Sequence, residues 1–197
     1  MCSHYEEMDS EQVKKLLGDR IEFKIWAAQR HLDKLEKIEK FYGGIMGKNR
    51  IYAEDELDCY FAQLISAEDS LLNLINSKLK LDIPEDKVTL ARINTELEKR
   101  SMQDLVTDFN SLNRDESSWY WTFRKLRNRS IHISPLRKQA KVNVGAGPST
   151  VKNYLLSPPS YEPPMYKETI VFLVESLNNM RNLVDKTREK IDQVDSK

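Results

Sequence analysis

Cysteine, glycine and proline are all scarce in this chain. Its 197 residues include 2 cysteines, 6 glycines and 7 prolines. Cys2 and Cys59 are too few for a disulfide framework, so free thiols in a reducing compartment are expected. Few helix breakers beside 40% hydrophobic and 31% charged residues give a globular, helix-leaning composition. No run of about 18 apolar residues exists, which excludes a transmembrane helix and leaves no membrane partner. The opening M-C-S-H-Y-E-E-M-D is acidic and lacks an apolar run. It does not read as a secretory signal, and a cytoplasmic chain is expected. C-x-x-C, H-E-x-x-H and histidine-rich clusters are missing, so neither a metal nor a cofactor is expected. The Gly-rich G-A-G-P-S-T at 145–150 lacks the residues that cradle a triphosphate, and a mobile turn accounts for it.

Acidic residues are missing from one long window. Between Ser117 and Tyr161 there is no Asp or Glu, while Arg124, Lys125, Arg127, Arg129, Arg137, Lys138, Lys141 and Lys152 fall inside it. The net charge of the chain is zero, so +8 here leaves −8 elsewhere. Such a segment is either a solvated basic surface or a contact for a polyanion, and the total lack of acids favours the polyanion.

Helical periodicity fills most of the rest. One helix is expected from Ser10 to Tyr42, with Leu17, Ile21, Ala28, Leu35 and Ile38 in its stripe and Gly43-Gly44 as its stop. A second is expected from Glu54 to Leu79, with Leu57, Phe61, Leu64, Glu68, Leu71 and Ile75 in line. A third segment, Glu85 to Asn110, breaks near Ser101. A fourth starts near Asp115 and turns Trp119, Phe123 and Leu126 inward. Pro135 stops that helix. The stretch 141–156 reads as a short β-hairpin or a mobile loop, and Pro158, Pro159, Pro163 and Pro164 form a stiff connector, the whole 141–164 being an insertion. The last helix, Met165 to Val194, carries a heptad: Ile170, Leu173, Leu177, Met180, Val184, Thr187, Ile191 and Val194. That heptad is either a bundle face or a dimer seam. The prediction is an all-α bundle of four to five long helices in a single domain, 1–197.

Chemistry concentrates at the end of the fourth helix. His4 sits in a terminal tail and His31 among core positions of the first helix, so neither is given a role. Arg127 lies one turn after Phe123, and His132 follows five residues later, near the enforced helix end, so the two are expected to approach one another there. An arginine can grip a phosphate with two parallel hydrogen bonds, and a histidine exchanges protons near neutral pH. Asn128 adds a neutral donor and acceptor. Glu68 stands in an apolar stripe where a carboxylate needs a partner, with Asp69 beside it. An ion pair from Glu68 to Arg127 follows, serving either an active site or only the scaffold. Trp119 and Phe123 are expected in the core, which leaves Tyr120 and Trp121 as candidates to stack bases.

The string Arg127-Asn128-Arg129-Ser130-Ile131-His132 resembles the R-x(4–6)-H motif of the HEPN superfamily, small helical bundles with a polar residue directly after the arginine. An acidic residue on an earlier helix, as at Glu68, is also similar to several members. The resemblance implies a metal-independent endoribonuclease with Arg127, Asn128 and His132 as its catalytic residues. Glu68 and Asp69 would support them, and RNA would meet Arg124, Lys125, Arg129, Arg137, Lys138, Tyr120 and Trp121. It further implies a homodimer in which two motifs share a cleft, and a defence or toxin role with a protein antitoxin. HEPN toxins paired with nucleotidyltransferase antitoxins carry a tyrosine two residues after the histidine; Ser134 stands there in this chain. The alternative is a non-catalytic HEPN-like module that binds a nucleotide, RNA or a protein.

Overall fold

The computed structural model describes residues 8–41, 49–115, 118–132, 137–143, 150–156 and 166–195. Cys2, His4, Gly43-Gly44, the turn at 145–149 and the proline connector lie outside them. Among the described residues the order is α1 (Ser10–Gly18), α2 (Arg20–Phe41), α3 (Arg50–Lys78), α4 (Leu90–Lys99), α5 (Gln103–Arg114), α6 (Trp119–His132), β1 (Arg137–Asn143), β2 (Thr150–Leu156), β3 (Tyr166–Glu168) and α7 (Thr169–Asp195). The fold is a helical bundle with a small sheet inserted between α6 and α7.

α3 is the central element. Leu57, Tyr60, Phe61, Leu64, Ala67, Leu71 and Ile75 recur at three- and four-residue steps and are all buried. Each large apolar side chain so buried contributes roughly 1.5–3 kcal/mol. α2, α4, α6 and α7 all pack on it. The Tyr60 hydroxyl donates to the Leu173 carbonyl of α7 at 2.6 Å, a buried bond that fixes α7 against α3. On α7, Leu173, Leu177, Met180, Val184, Thr187 and Ile191 are buried. The heptad therefore faces its own chain, and the alternative of a dimer seam along this stripe falls away. Only its last member, Val194, is exposed.

The first expected helix is in fact two. Asp19 is extended, at φ −126° and ψ 102°, and ends α1. Its carboxylate accepts from the backbone N–H groups of Ile21 and Glu22 at 3.0 and 3.2 Å, which caps α2. The same carboxylate meets Arg188 of α7 at 2.7 Å, and Glu22 meets Arg188 at 2.9 Å. Leu17, placed by its spacing in the stripe, is 74% exposed because the chain turns two residues later. The break near Ser101 is present, with Ser101 at φ 59° between α4 and α5. The expected start at Glu85 is a single 3-10 turn, and α4 begins only after Thr89, whose hydroxyl caps it.

The hairpin is formed. β1 and β2 run antiparallel from Arg137 opposite Leu156 to Asn143 opposite Thr150, four residues longer at the start than its spacing implies. β3 adds to β2 as a third strand. Tyr166–Glu168 were expected in the last helix; pairing with β2 claims them, and α7 starts at Thr169. The register sets Lys141 opposite Lys152.

Asp19 both caps α2 and binds Arg188, and the two roles separate by substitution. Asp19→Ala is expected to lower unfolding free energy in urea by about 1–2 kcal/mol, whereas Asp19→Asn keeps the cap and loses less than half of that.

Candidate active site

α6 is set on the bundle by its inner face. Ser118 accepts from the Trp121 N–H at 3.1 Å and donates to the Leu112 carbonyl at 2.6 Å, so one hydroxyl caps α6 and ties it to α5. Phe123 then inserts against Phe61 and Tyr60 of α3, with ring centroids 5.0 and 6.3 Å apart in edge geometry. Tyr120 and Leu126 complete the buried face. Tyr120 corrects the expectation that it stacks bases: at 2% exposure its ring is core. Trp119, expected inside, is only partly buried and packs at the rim. The two neighbours have exchanged roles: around the axis Tyr120 lies within about 20° of Arg127, and Trp119 about 80° from it. Trp121 remains partly exposed, with the Lys125 ammonium 4.9 Å from its ring centroid.

Arg127 follows Phe123 by one turn and is half-buried on the flank toward α3. Its Nη1 donates to Asn128 Oδ1 at 3.0 Å, so the first two residues of the motif are joined. Glu68 is buried at 7% exposure. Burial pushes its carboxyl up to about 7; Arg124, and less strongly Arg127, oppose the rise, and Asp69 adds to it. Asp69 is raised in the same way, with Arg127 the first opposing charge and Arg124 the second. The expected pairing of Glu68 with Arg127 is thus a four-membered group. Arg124 acts chiefly on Glu68 and Arg127 chiefly on Asp69.

Ser130 was not singled out by its sequence. Its hydroxyl donates a hydrogen bond to Asp58 of α3, a second tie between the motif and the central helix. The signal was available, since Ser130 lies seven residues after Phe123, on the same side of α6. His132 is the last residue of α6; its side chain and that of Arg129 lie outside what the structure describes, as do the side chains of Arg137 and Lys138 on β1. The helix nonetheless fixes positions. At 3.6 residues per turn, five residues separate positions 127 and 132 by about 140° around the axis, so the expected approach of the two at the helix end is not made by the backbone, which stays helical through 132. His31 forms a different cluster, its Nδ1 2.6 Å from Glu56 and Lys34 on the other carboxylate oxygen at 2.8 Å, joining α2 to α3. Among the described residues no group of three or more His, Cys, Asp or Glu side chains is arranged to hold a metal ion, and no helix is long and apolar enough to cross a membrane.

A family model described as Cthe2314-like HEPN matches residues 56–193. The chain belongs to the HEPN family. The match begins in the first third of α3 and runs nearly to the end of α7, so it takes in Glu68, Asp69 and the entire Arg127–His132 motif. Comparison with curated proteins and with solved structures gives no match.

The acid pair makes stability depend on pH in this HEPN domain. Both carboxyls hold their protons more tightly folded than unfolded. For Glu68, between pH about 4.5 and 7, the native state binds more protons and loses stability as pH rises. For Glu68 the loss is on the order of 3 kcal/mol, at about 1.4 kcal/mol per pH unit of displacement. Thermal unfolding of Glu68→Gln, compared with wild type at pH 5 and pH 8, is expected to show a much flatter dependence. Equal slopes for the two proteins would contradict the burial of this carboxylate.

Proposed function

We propose that this HEPN chain is a metal-independent endoribonuclease, with Arg127 holding the scissile phosphate and His132 moving the proton. The carrying observation is that Arg127, half-buried on the helix that ends at His132, acts electrostatically on the buried Glu68 and the exposed Asp69. RNA brings its own nucleophile. Its 2′-hydroxyl attacks the adjacent phosphorus and the bond to the 5′-oxygen of the next nucleotide breaks, leaving a 2′,3′-cyclic phosphate and a free 5′-hydroxyl. The protein supplies a proton acceptor for the 2′-oxygen, a donor for the leaving oxygen and positive charge for the phosphoryl oxygens. Asn128 steadies the guanidinium, and Glu68 with Asp69 fix its direction. Lys125, Arg129, Arg137 and Lys138, with Trp121, would hold the flanking strand in the acid-free segment.

One histidine cannot be acid and base in the same step. The 140° between positions 127 and 132 adds to this, since one α6 does not set both toward a single face. Two copies meeting along α6 would place the arginine of one beside the histidine of the other and supply two imidazoles. We therefore take the active form to be a homodimer. An RNA-cutting chain of this kind would serve as a defence or toxin component restrained by a protein antitoxin.

The same 140° favours a second reading, a non-catalytic HEPN module that binds RNA or a nucleotide. Incubation of single-stranded RNA in EDTA separates the two. Wild type is expected to yield fragments ending in cyclic phosphate, with His132→Ala and Arg127→Ala reduced at least about 100-fold, within the range that proton transfer contributes. Salt-sensitive binding without fragments, unchanged in His132→Ala, would establish the binding module instead.

A further inference from the structure

A cleft of about 220 Å³ lies where α5, α6 and α7 meet, lined by Asp108, Trp119, Asn179, Asn182, Leu183 and Lys186. That volume is below the roughly 300–1,000 Å³ of sites that bury drug-sized ligands, and suits one flat ring system. Its walls differ in chemistry. The Trp119 indole lies along one side, braced edge-on by Tyr120 with centroids 5.4 Å apart. Asn179, Asn182 and Lys186 line up on one flank of α7 at steps of three and four residues. Neither asparagine amide has a hydrogen-bond partner among the described residues. Asp108 already binds Lys190 at 2.5 Å, so its charge is offset and Lys186 dominates the mouth.

We propose that this cleft is a nucleobase site. The base stacks on Trp119, the amides of Asn179 and Asn182 bond to its polar edge, and Lys186 receives the attached phosphate. An indole suits the flat face of any base, and an amide offers both a donor and an acceptor to the edge. The ammonium is a compact charge for a phosphate oxygen. The geometry also relates the cleft to the motif. Trp119 precedes Arg127 by eight residues on the same helix, about 12 Å along its axis. A strand seated here by one base reaches Arg127 a few nucleotides away along α6. That the base belongs to a strand rests on the endoribonuclease reading; the base site itself does not.

The probes are uridine and adenosine monophosphates and a single-stranded oligoribonucleotide, added to the full chain and followed by NMR of the indole N–H and side-chain amide signals. Wild type is expected to bind a monophosphate with shifts of the Trp119 indole. Asn179→Ala with Asn182→Ala is expected to weaken binding at least about fivefold. Both asparagines lie at the rim of the bundle, and circular dichroism of the double variant checks its fold. Trp119→Phe keeps a stacking ring and is expected to retain most of the affinity. Binding must persist in His132→Ala, which separates this site from the cleavage motif. If the oligoribonucleotide binds far more tightly than the monophosphate, the source is an RNA strand; comparable affinity identifies a free nucleotide. Both results support the site. Absence of binding to either probe, or binding left within twofold by the double asparagine variant, overturns it.

Discussion

A carboxylate at position 68 of α3 cannot be left among Phe61, Leu64 and Leu71 without compensation, and much of the candidate site follows from that. In the interior an ionised carboxylate costs several kcal/mol, so it attracts cations or keeps its proton. Here both occur. The charges of Arg124 and Arg127, a turn apart on α6, act on Glu68 and Asp69, and the Glu68 carboxyl is still displaced upward. α6 is thereby oriented by charge on one flank and by Phe123 against Phe61 on its inner face. Phe123 against Phe61 and the Ser130 bond to Asp58 tie α6 to α3, and the carboxylates add attraction on the flank of Arg124 and Arg127.

Much of this was legible in the sequence, because two periodicities met. Glu68 stood out as an acid in a leucine stripe, and Arg127 as a base beside an apolar face. Their approach followed from burial alone. The break at Ser101 and the hairpin were also readable. What failed was finer. Asp19 looked like one more polar residue in a long helix, because the arginine that holds it, Arg188, is 169 residues away. In W-Y-W-T-F three aromatics crowd one helical turn, and a phase error of a single residue exchanges the buried ring for the exposed one. That error sent Tyr120 to the surface and Trp119 to the core. Phe61 and Tyr60, which choose between them, lie on another helix.

The heptad of α7 illustrates the same limit. A repeat of apolar residues states that a face is buried and is silent on what buries it. Tyr60 answers for this chain: its hydroxyl reaches a carbonyl of α7 from within the bundle, so the stripe is used internally. The dimer proposed for cleavage would then use another surface. α6 packs its inward side on α3, α5 and α7, while its outer side carries Asn128 and Lys125, both exposed.

That commitment bears directly on how a six-residue motif can work. Had the helix ended at Arg127, the following residues would be free to fold back and bring His132 beside it. α6 instead continues through His132, and a regular helix assigns its residues to fixed azimuths. Arg127 takes the side that the acids demand, and the histidine's place, about 140° away, goes to the side where Asn128 and Lys125 stand. One α6 thus separates positions 127 and 132 around its axis. Under the endoribonuclease reading proposed above, a cleft holding both residue types would need a second copy, and the burial of Glu68 that sets Arg127 on its flank is what would impose that need.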